Sequence, residues 1–499
     1  MHRVTLALIV LASWLARAAL AVIGGQFYGP DEVRYCRSAQ LLYLLSRGDV
    51  SAFFWSIVRY VDHPLYPLAG LIPAAAQRLY AHLLGYESSA ATTLRTMWVA
   101  ASVFALASAA NILLVYLLAL KVSGRRWEAL GAAFLAACSN SLFYYASRFL
   151  PYDVSLALAL SALLLGLGAP GARRSFACGV LAALSVLTYT GYWFLAPVVL
   201  WSHAFGKDWL RRGAAAAAGF AIPVALLVGL GQYYSGGSYL RNLGSFTSQV
   251  TQGEFGEGWL VPFAYLWHSE HLFILLLAAG AAAGLFMEPR GKALLWAGAA
   301  VTIYALLVLS STVLHKFVVY GRLARAVVPF LCLAAAPALS GLWRRRRSAA
   351  ALAITLVALQ AGYNFSESFA LGNPTALRNW AREKYAAADA GTLEAGWWRL
   401  WVEPGTQTCR FGRDETPPDL VSRYVLVNAG IPWPVTGAKE APEGAVIFSV
   451  RHPFGYPPNQ FEGYTPAERG LMKDLKIILI DRGAAPAAQD RPVQPPRQP

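Results

Sequence analysis

The chain has 499 residues, 57% hydrophobic and only 14% charged, with a mean hydropathy of +0.43. Soluble domains carry about 25% charged residues, so a purely cytosolic globular protein is excluded, as are disorder and fibrous repeats. The net charge of +15 would suit nucleic acid if it lay on one soluble face, but it lies in short loops between apolar runs, and no nucleic-acid partner is expected.

Eleven apolar runs approach the roughly 20 residues that cross a bilayer: about 4–23, 94–120, 129–146, 154–169, 176–190, 193–206, 214–234, 270–287, 292–312, 324–342 and 348–363. The first has Arg3 ahead of it, but Arg17 lies inside it and no clean small-residue cleavage site follows, so it is expected to stay as a signal anchor. Between the first two runs, the connection 24–93 carries helical spacing at Val33, Cys36, Leu41 and Leu44, ending at Gly48. A second amphipathic stretch covers 64–84 through Leu68, Leu71, Ala75 and Leu79. With Tyr43, Phe53, Phe54, Trp55 and Tyr66 nearby, such helices suit a membrane interface.

Further on, the segment 235–269 is Gly-rich and polar and is expected to be a flexible outer loop. The membrane core is thus 1–363. From 364 to 483 the composition becomes that of a small α/β domain. A helical stretch at 375–389 leads into strand-like runs at 399–402, 423–428, 445–450 and 475–480. Residues 484–499, rich in Pro, Ala and Gln, read as a disordered tail.

Lys/Arg bias sets the orientation. The loops 121–128, 170–175, 203–213, 287–292 and 343–348 hold 14 basic residues, against 4 in the connections on the other side. The first set is therefore expected to be cytoplasmic. An odd number of spans then puts 24–93 and everything after 363 outside, in the periplasm or exterior of a plasma (inner) membrane protein. Five cysteines form no CxxC or Cys/His metal spacing. Cys36 and Cys409 share the oxidising side, and only geometry decides whether they pair.

Four clusters carry candidate chemistry. In GPDEVRY, Asp31 and Glu32 suit a helix N-terminus, where carboxylates meet the dipole. About 100° apart on a helix, they cannot both face one atom, so one faces a cavity and the other anchors the helix. Tyr35 lies one turn from Asp31 on the same side. In Asp62-His63-Pro64, the residue before proline is held extended, which presents His63; a plain surface loop is the alternative. Arg148 and Asp153 flank a span boundary, as a structural pair or as functional charges. Lys316, Arg322 and Arg325 lie at the outer edge of the tenth run, where single cations also serve as snorkelling anchors. All four clusters fall on the outer face. Together they would enclose a cavity for a phosphate-bearing lipid and a hydroxyl or amine acceptor.

GPDEVRYCRSAQLL, DHPLYPL, the stretch from ATTLRTMWVAAS to LFYYASRFLPYD, and GRLARAVVPFL resemble the membrane glycosyltransferases of the GT-C class. The similarity covers roughly 1–345 and is to the branch of protein O-mannosyltransferases and the lipid A aminoarabinose transferase (glycosyltransferase family 39-like). The resemblance implies a polytopic α-helical core with juxtamembrane helices in its first outer loop and an extracytoplasmic active site. It also implies a polyprenyl-phosphate-linked sugar donor and inversion at the anomeric centre. Asp31 matches the class's catalytic acid, Glu32 its neighbour, Tyr35 an aromatic one turn on, and Asp153 a second acid in a different setting. His63 stands where the branch has Lys. Arg148, Lys316, Arg322 and His63 would bind the departing phosphate, with Asp62 and Asp153 orienting cations or the sugar. A divalent cation on Asp31, Asp62 and Asp153 stays open, as other enzymes of this class use metal, although no DxD spacing occurs. The acceptor, whether lipid, glycan or protein, is open too.

Two other classes fit a polytopic chain. A transporter or lipid flippase would usually show duplicated halves and midplane charges, whereas this chain shows neither. A scaffold would keep its binding activity in 364–483 alone.

Overall fold

The structure, a computed structural model, describes residues 2–23, 26, 32, 34–59, 61–86, 90–168, 171–203, 208–251, 258–287, 290–316, 319 and 321–388, together with six strands between 393 and 481. For 370–388 and the strands, the backbone alone is described.

The chain opens with α1 (His2–Ile23). Val4, Leu8, Leu11, Leu15 and Val22 form an exposed stripe on it, while Ser13 and Arg17 are buried. This polar-inside, apolar-outside pattern is what lipid around a helix selects. Four short helices follow: α2 (Arg34–Ser46), α3 (Val50–Val58), α4 (Tyr66–Ala69) and α5 (Leu71–Leu83). Gly48, at φ +70°, ends α2 in a conformation that favours glycine. Asp49 then caps α3 by accepting from the Ala52 N–H at 3.0 Å. The helices expected over 31–46 and 64–84 are thus present as α2, α4 and α5, and α3 lies between them.

The body of the protein follows as α6 (Ala90–Ser123), α7 (Arg126–Ala137), α8 (Asn140–Tyr144), α9 (Tyr152–Gly166), α10 (Ala172–Thr188), α11 (Leu195–Trp201) and α12 (Trp209–Tyr234). It continues with α13 (Tyr239–Thr251), α14 (Val261–Glu270), α15 (Leu272–Leu285), α16 (Arg290–Val308), α17 (Gly321–Ala324), α18 (Val328–Arg345) and α19 (Arg347–Ala388). Among the described residues, six helices are long and apolar enough to cross a membrane, or up to eight if two bent pairs each count as one span. Not all eleven apolar runs form helices of full spanning length among those residues. The runs at 154–169, 176–190 and 193–206 contain helices of 15, 17 and 7 residues.

Two expectations change. The segment 235–269 is not a plain loop, since it holds α13 and α14 with only 252–257 outside the described residues. Its apolar residues Tyr239, Leu243, Phe246 and Val250 recur at helical spacing, and this outweighs the glycines. The composition change at 364 is also no break in secondary structure, because α19 runs through it. There the polar side chains Asn364 and Ser368 turn inward, donating to the Glu270 carbonyl at 3.0 Å and to Asn140 Oδ1 at 2.9 Å.

One large apolar core joins α6, α7, α9, α10 and α14–α18. A smaller one, around Leu41, Ile57, Val58, Leu187, Leu227 and Tyr239, seats α2 and α3 against α10, α12 and α13. Where α10 passes α12, a Cβ on Gly179 would lie 1.9 Å from the Ala216 carbonyl oxygen, and one on Gly219 would lie 2.1 Å from that of Phe176. The two glycines thus let the backbones touch. After α19, the strands β1 (Leu393–Ala395), β2 (Trp398–Val402), β3 (Cys409–Gly412), β4 (Tyr424–Ala429), β5 (Ala445–Arg451) and β6 (Lys476–Asp481) form a sheet in the order β3-β2-β1-β4-β6-β5. Only the β1–β4 pairing is parallel. The four runs expected as strands are β2, β4, β5 and β6. Cys36 is buried, and the Cys409 side chain lies outside the described residues.

Candidate active site

Asp31, expected as the catalytic acid, lies outside the described residues. Its neighbour Glu32 is 2% exposed. The Phe149 N–H donates to Glu32 Oε1 at 3.2 Å, and the Arg148 guanidinium approaches Oε2 at 3.9 Å. A buried carboxylate is tolerable only with such partners. Arg148 lies just beyond α8, donating to the Tyr144 hydroxyl at 3.3 Å with its guanidinium 5.3 Å from that ring's centre.

Tyr35 points inward. It is fully buried, stacks on Phe149 at 4.1 Å and donates its hydroxyl to Gln77 Oε1. The apolar side of α2 therefore takes this ring into the core. The polar side of α2 instead presents two residues that spacing alone did not single out. Arg34 Nε donates to Asp62 Oδ2 at 2.9 Å, and Arg37 Nη1 donates to Asp62 Oδ1 at 3.2 Å. Burial pushes the Asp62 carboxyl up, but the guanidiniums of Arg34 and Arg37 lead the charges that outweigh it and hold the group below its ordinary value of 3.8.

His63 is not extended, as its place before Pro64 suggested. Its φ is +50°, and its carbonyl accepts from the Tyr66 N–H at 3.0 Å in a turn that starts α4. The Thr190 N–H donates to His63 Nδ1 at 3.2 Å, with Thr190 Oγ1 at 3.0 Å from the same nitrogen. A backbone N–H can only donate, so Nδ1 is the acceptor and the ring's proton is on Nε2. In this geometry His63 is a neutral donor and no substitute for a lysine cation.

Arg325, fully buried, donates from Nη2 to Asp153 Oδ1 at 2.6 Å, and Asn111 Nδ2 donates to the Asp153 carbonyl at 3.0 Å. One turn earlier, Arg322 Nη1 donates to the Tyr152 hydroxyl at 2.8 Å, while the Arg322 carbonyl accepts from the Tyr192 hydroxyl at 3.0 Å. Lys316, by contrast, is exposed, and no described contact joins its side chain to these groups.

Aromatic rings close the arrangement. His63 packs on Tyr189 at 4.7 Å, Tyr189 on Tyr152 at 4.7 Å, Tyr152 on Tyr145 at 5.4 Å and Tyr145 on Tyr144 at 5.2 Å. The Arg325 guanidinium stands 5.1 Å from the Tyr145 ring centre. From Tyr144 the contacts return through Arg148 to Glu32 and Phe149, whose carbonyl accepts from the Tyr66 hydroxyl at 2.8 Å. Burial pushes the Tyr66 hydroxyl well above its ordinary value, and Arg34, Glu32 and Arg37 also act on it. Segments around residues 32–37, 62–66, 144–153, 189–192 and 322–325 are thus brought to one place. Among the described residues of this ring, five guanidiniums face three carboxylates, leaving two positive charges. At one edge of the ring the Arg34, Arg37 and Asp62 side chains are 16–19% exposed.

Of the three acids expected around a divalent cation, Asp31 lies outside the described residues and the other two are engaged by arginine. Both Asp62 oxygens accept from arginine, and Arg325 holds Asp153. Among the described residues, no group of three or more His, Cys, Asp and Glu side chains gathers.

No family model matches the chain, and no curated protein matches it. Among solved structures it is similar to ArnT from Cupriavidus metallidurans bound to undecaprenyl phosphate, with a TM-score of 0.48, 14% identity, and coverage of 76% of this chain and 72% of that one. It is also similar to the apo state of the same protein, with a TM-score of 0.44, 14% identity, and coverage of 76% and 71%. A third is the archaeal oligosaccharyltransferase AglB from Archaeoglobus fulgidus, in complex with an inhibitory peptide and a dolichol phosphate. Its TM-score is 0.43 at 14% identity, covering 73% of this chain and 56% of that one.

Proposed function

We propose that the protein is an integral membrane glycosyltransferase that moves a sugar from a polyprenyl-phosphate donor to an extracytoplasmic lipid, glycan or protein acceptor, with inversion. The observation that carries this reading is the largely buried ring of arginines and tyrosines, in which, among the described residues, guanidiniums outnumber carboxylates. A lipid phosphate matches that surplus in sign, and fixed cations in a water-poor site stabilise a phosphate far better than cations in water.

In the reaction, the acceptor oxygen or nitrogen attacks the anomeric carbon from the face opposite the phosphate. Asp31 takes the acceptor's proton, the bond from the anomeric carbon to the phosphate oxygen breaks, and the electron pair leaves with the lipid phosphate. The leaving group is already an anion, so it needs positive charge and no proton. Arg322 and Arg148 supply that charge, while Arg325 is held by Asp153 as a fixed background cation. The Arg34–Asp62–Arg37 edge and the His63 Nε2–H offer donors to sugar hydroxyls or phosphate oxygens. The positive-inside bias sets this site on the outer side of the plasma membrane.

Membranes containing the wild type or Asp31→Asn, supplied with radiolabelled polyprenyl-phosphate sugars and envelope extract, test the assignment. A general base contributes about 10²–10⁴-fold, so Asp31→Asn at equal protein level is expected to lower transfer by at least about a hundredfold. Equal transfer by the two would remove Asp31 from the mechanism.

A further inference from the structure

Away from the arginine ring, an apolar cavity of about 420 Å³ opens on the flank of α15 and α18, where α7 and α19 stand beside them. Small side chains make the room, among them Ala279, Ala283, Ala338 and Ala353. It is not a gap between badly matched helices. α15 and α18 touch next to it, where a Cβ on Gly284 would lie 2.5 Å from the Ala334 carbonyl oxygen. Among the described residues lining the cavity, Arg345 is the one that carries a charge. It is exposed at the end of α18, within the run Arg344–Arg347, all four residues of which are exposed. The 18 residues of α18 separate this mouth from Arg325, roughly 27 Å at 1.5 Å per residue.

An apolar cavity excludes water, and in a bilayer hydrocarbon is what enters it. Basic pockets between membrane helices hold anionic lipid headgroups. A groove that takes an alkyl chain and ends on a guanidinium complements both halves of such a lipid. We propose that this cavity is a binding site for one chain of an anionic phospholipid, with the lipid phosphate at Arg345. The site is separate from the arginine ring and does not depend on the glycosyltransferase reading.

The test is lipid retention by the full-length protein, incubated with vesicles of equimolar phosphatidylglycerol and phosphatidylcholine, repurified and analysed by native mass spectrometry. The wild type is expected to keep phosphatidylglycerol over phosphatidylcholine at least fivefold. Arg345→Gln should bring that ratio close to one. Ala338→Phe, which fills the cavity, should remove retention of both lipids, and Ala353→Phe does the same from the opposite wall should the first variant fail to fold. A wild-type ratio of one would overturn the proposal, as would unchanged retention in the folded filling variants or displacement of phosphatidylglycerol by equimolar undecaprenyl phosphate.

Discussion

His63 shows how much a single side chain owes to its partner. The sequence places it before a proline and in the position of a lysine, which suggests a presented, phosphate-binding group. In the fold its Nδ1 is used up by the Thr190 N–H, on a backbone at φ +50°. His63→Lys is therefore expected to lose about 1 kcal/mol, the low end of the cost of an unsatisfied donor, because the Thr190 N–H is only part-buried. His63→Asn, which keeps an acceptor and tolerates positive φ, should lose less; thermal unfolding of the purified variants ranks them. Asp62 makes a different prediction. Its carboxyl is held below the usual value, so the stability it contributes is complete above pH 3.8 and is lost as pH falls through its lower folded value. Asp62→Asn should flatten this acid limb of the Tm-against-pH profile and lower Tm at neutral pH. A profile that keeps the full wild-type acid limb would show that Asp62 is not its source.

At the scale of elements, the break between α14 and α15, where the chain turns by 114°, rests on one acid. Glu270 is fully buried and takes donors from the Ser139 and Ser141 hydroxyls at 2.6 Å and from the Asn140 and Ser141 N–H groups at 2.8 and 3.0 Å. It therefore fastens the start of α8, the helix that leads to Tyr144, Tyr145 and Arg148. With hydrogen bonds to a charged acceptor worth about 1.5–3 kcal/mol each, Glu270→Ala should cost more than about 3 kcal/mol. Glu270→Gln, which keeps one acceptor oxygen, should lie between it and the wild type in expression level and unfolding temperature. The apolar run 270–287 was visible in the sequence with Glu270 at its edge, but its use was not. Its partners lie 129–131 positions away, and nothing in local periodicity reports them.

At the scale of the whole molecule, the same limit explains which parts were legible. Apolar runs, the helices of 24–93 and four of the six strands show in local spacing. Members of all four charged clusters also meet, through Glu32–Arg148, His63–Tyr189 and Asp153–Arg325. Lys316 stays apart because exposure, not charge, decides its company. The tyrosines that join the clusters were present as YYASRFLPYD and TYTGYW, yet ring-to-ring contact across the chain leaves no spacing signature. The central claim is that the arginine ring binds a lipid phosphate. Arg322 tests it most cleanly, since its guanidinium donates to a neutral tyrosine hydroxyl and its loss leaves no described carboxylate stranded. Binding of undecaprenyl phosphate and of neutral undecaprenol should be measured for the wild type and Arg322→Gln at matched thermal stability. The phosphate lipid should bind the wild type and at least tenfold more weakly the variant, with undecaprenol unaffected; equal binding of undecaprenyl phosphate by both proteins would contradict a phosphate site at the arginine ring.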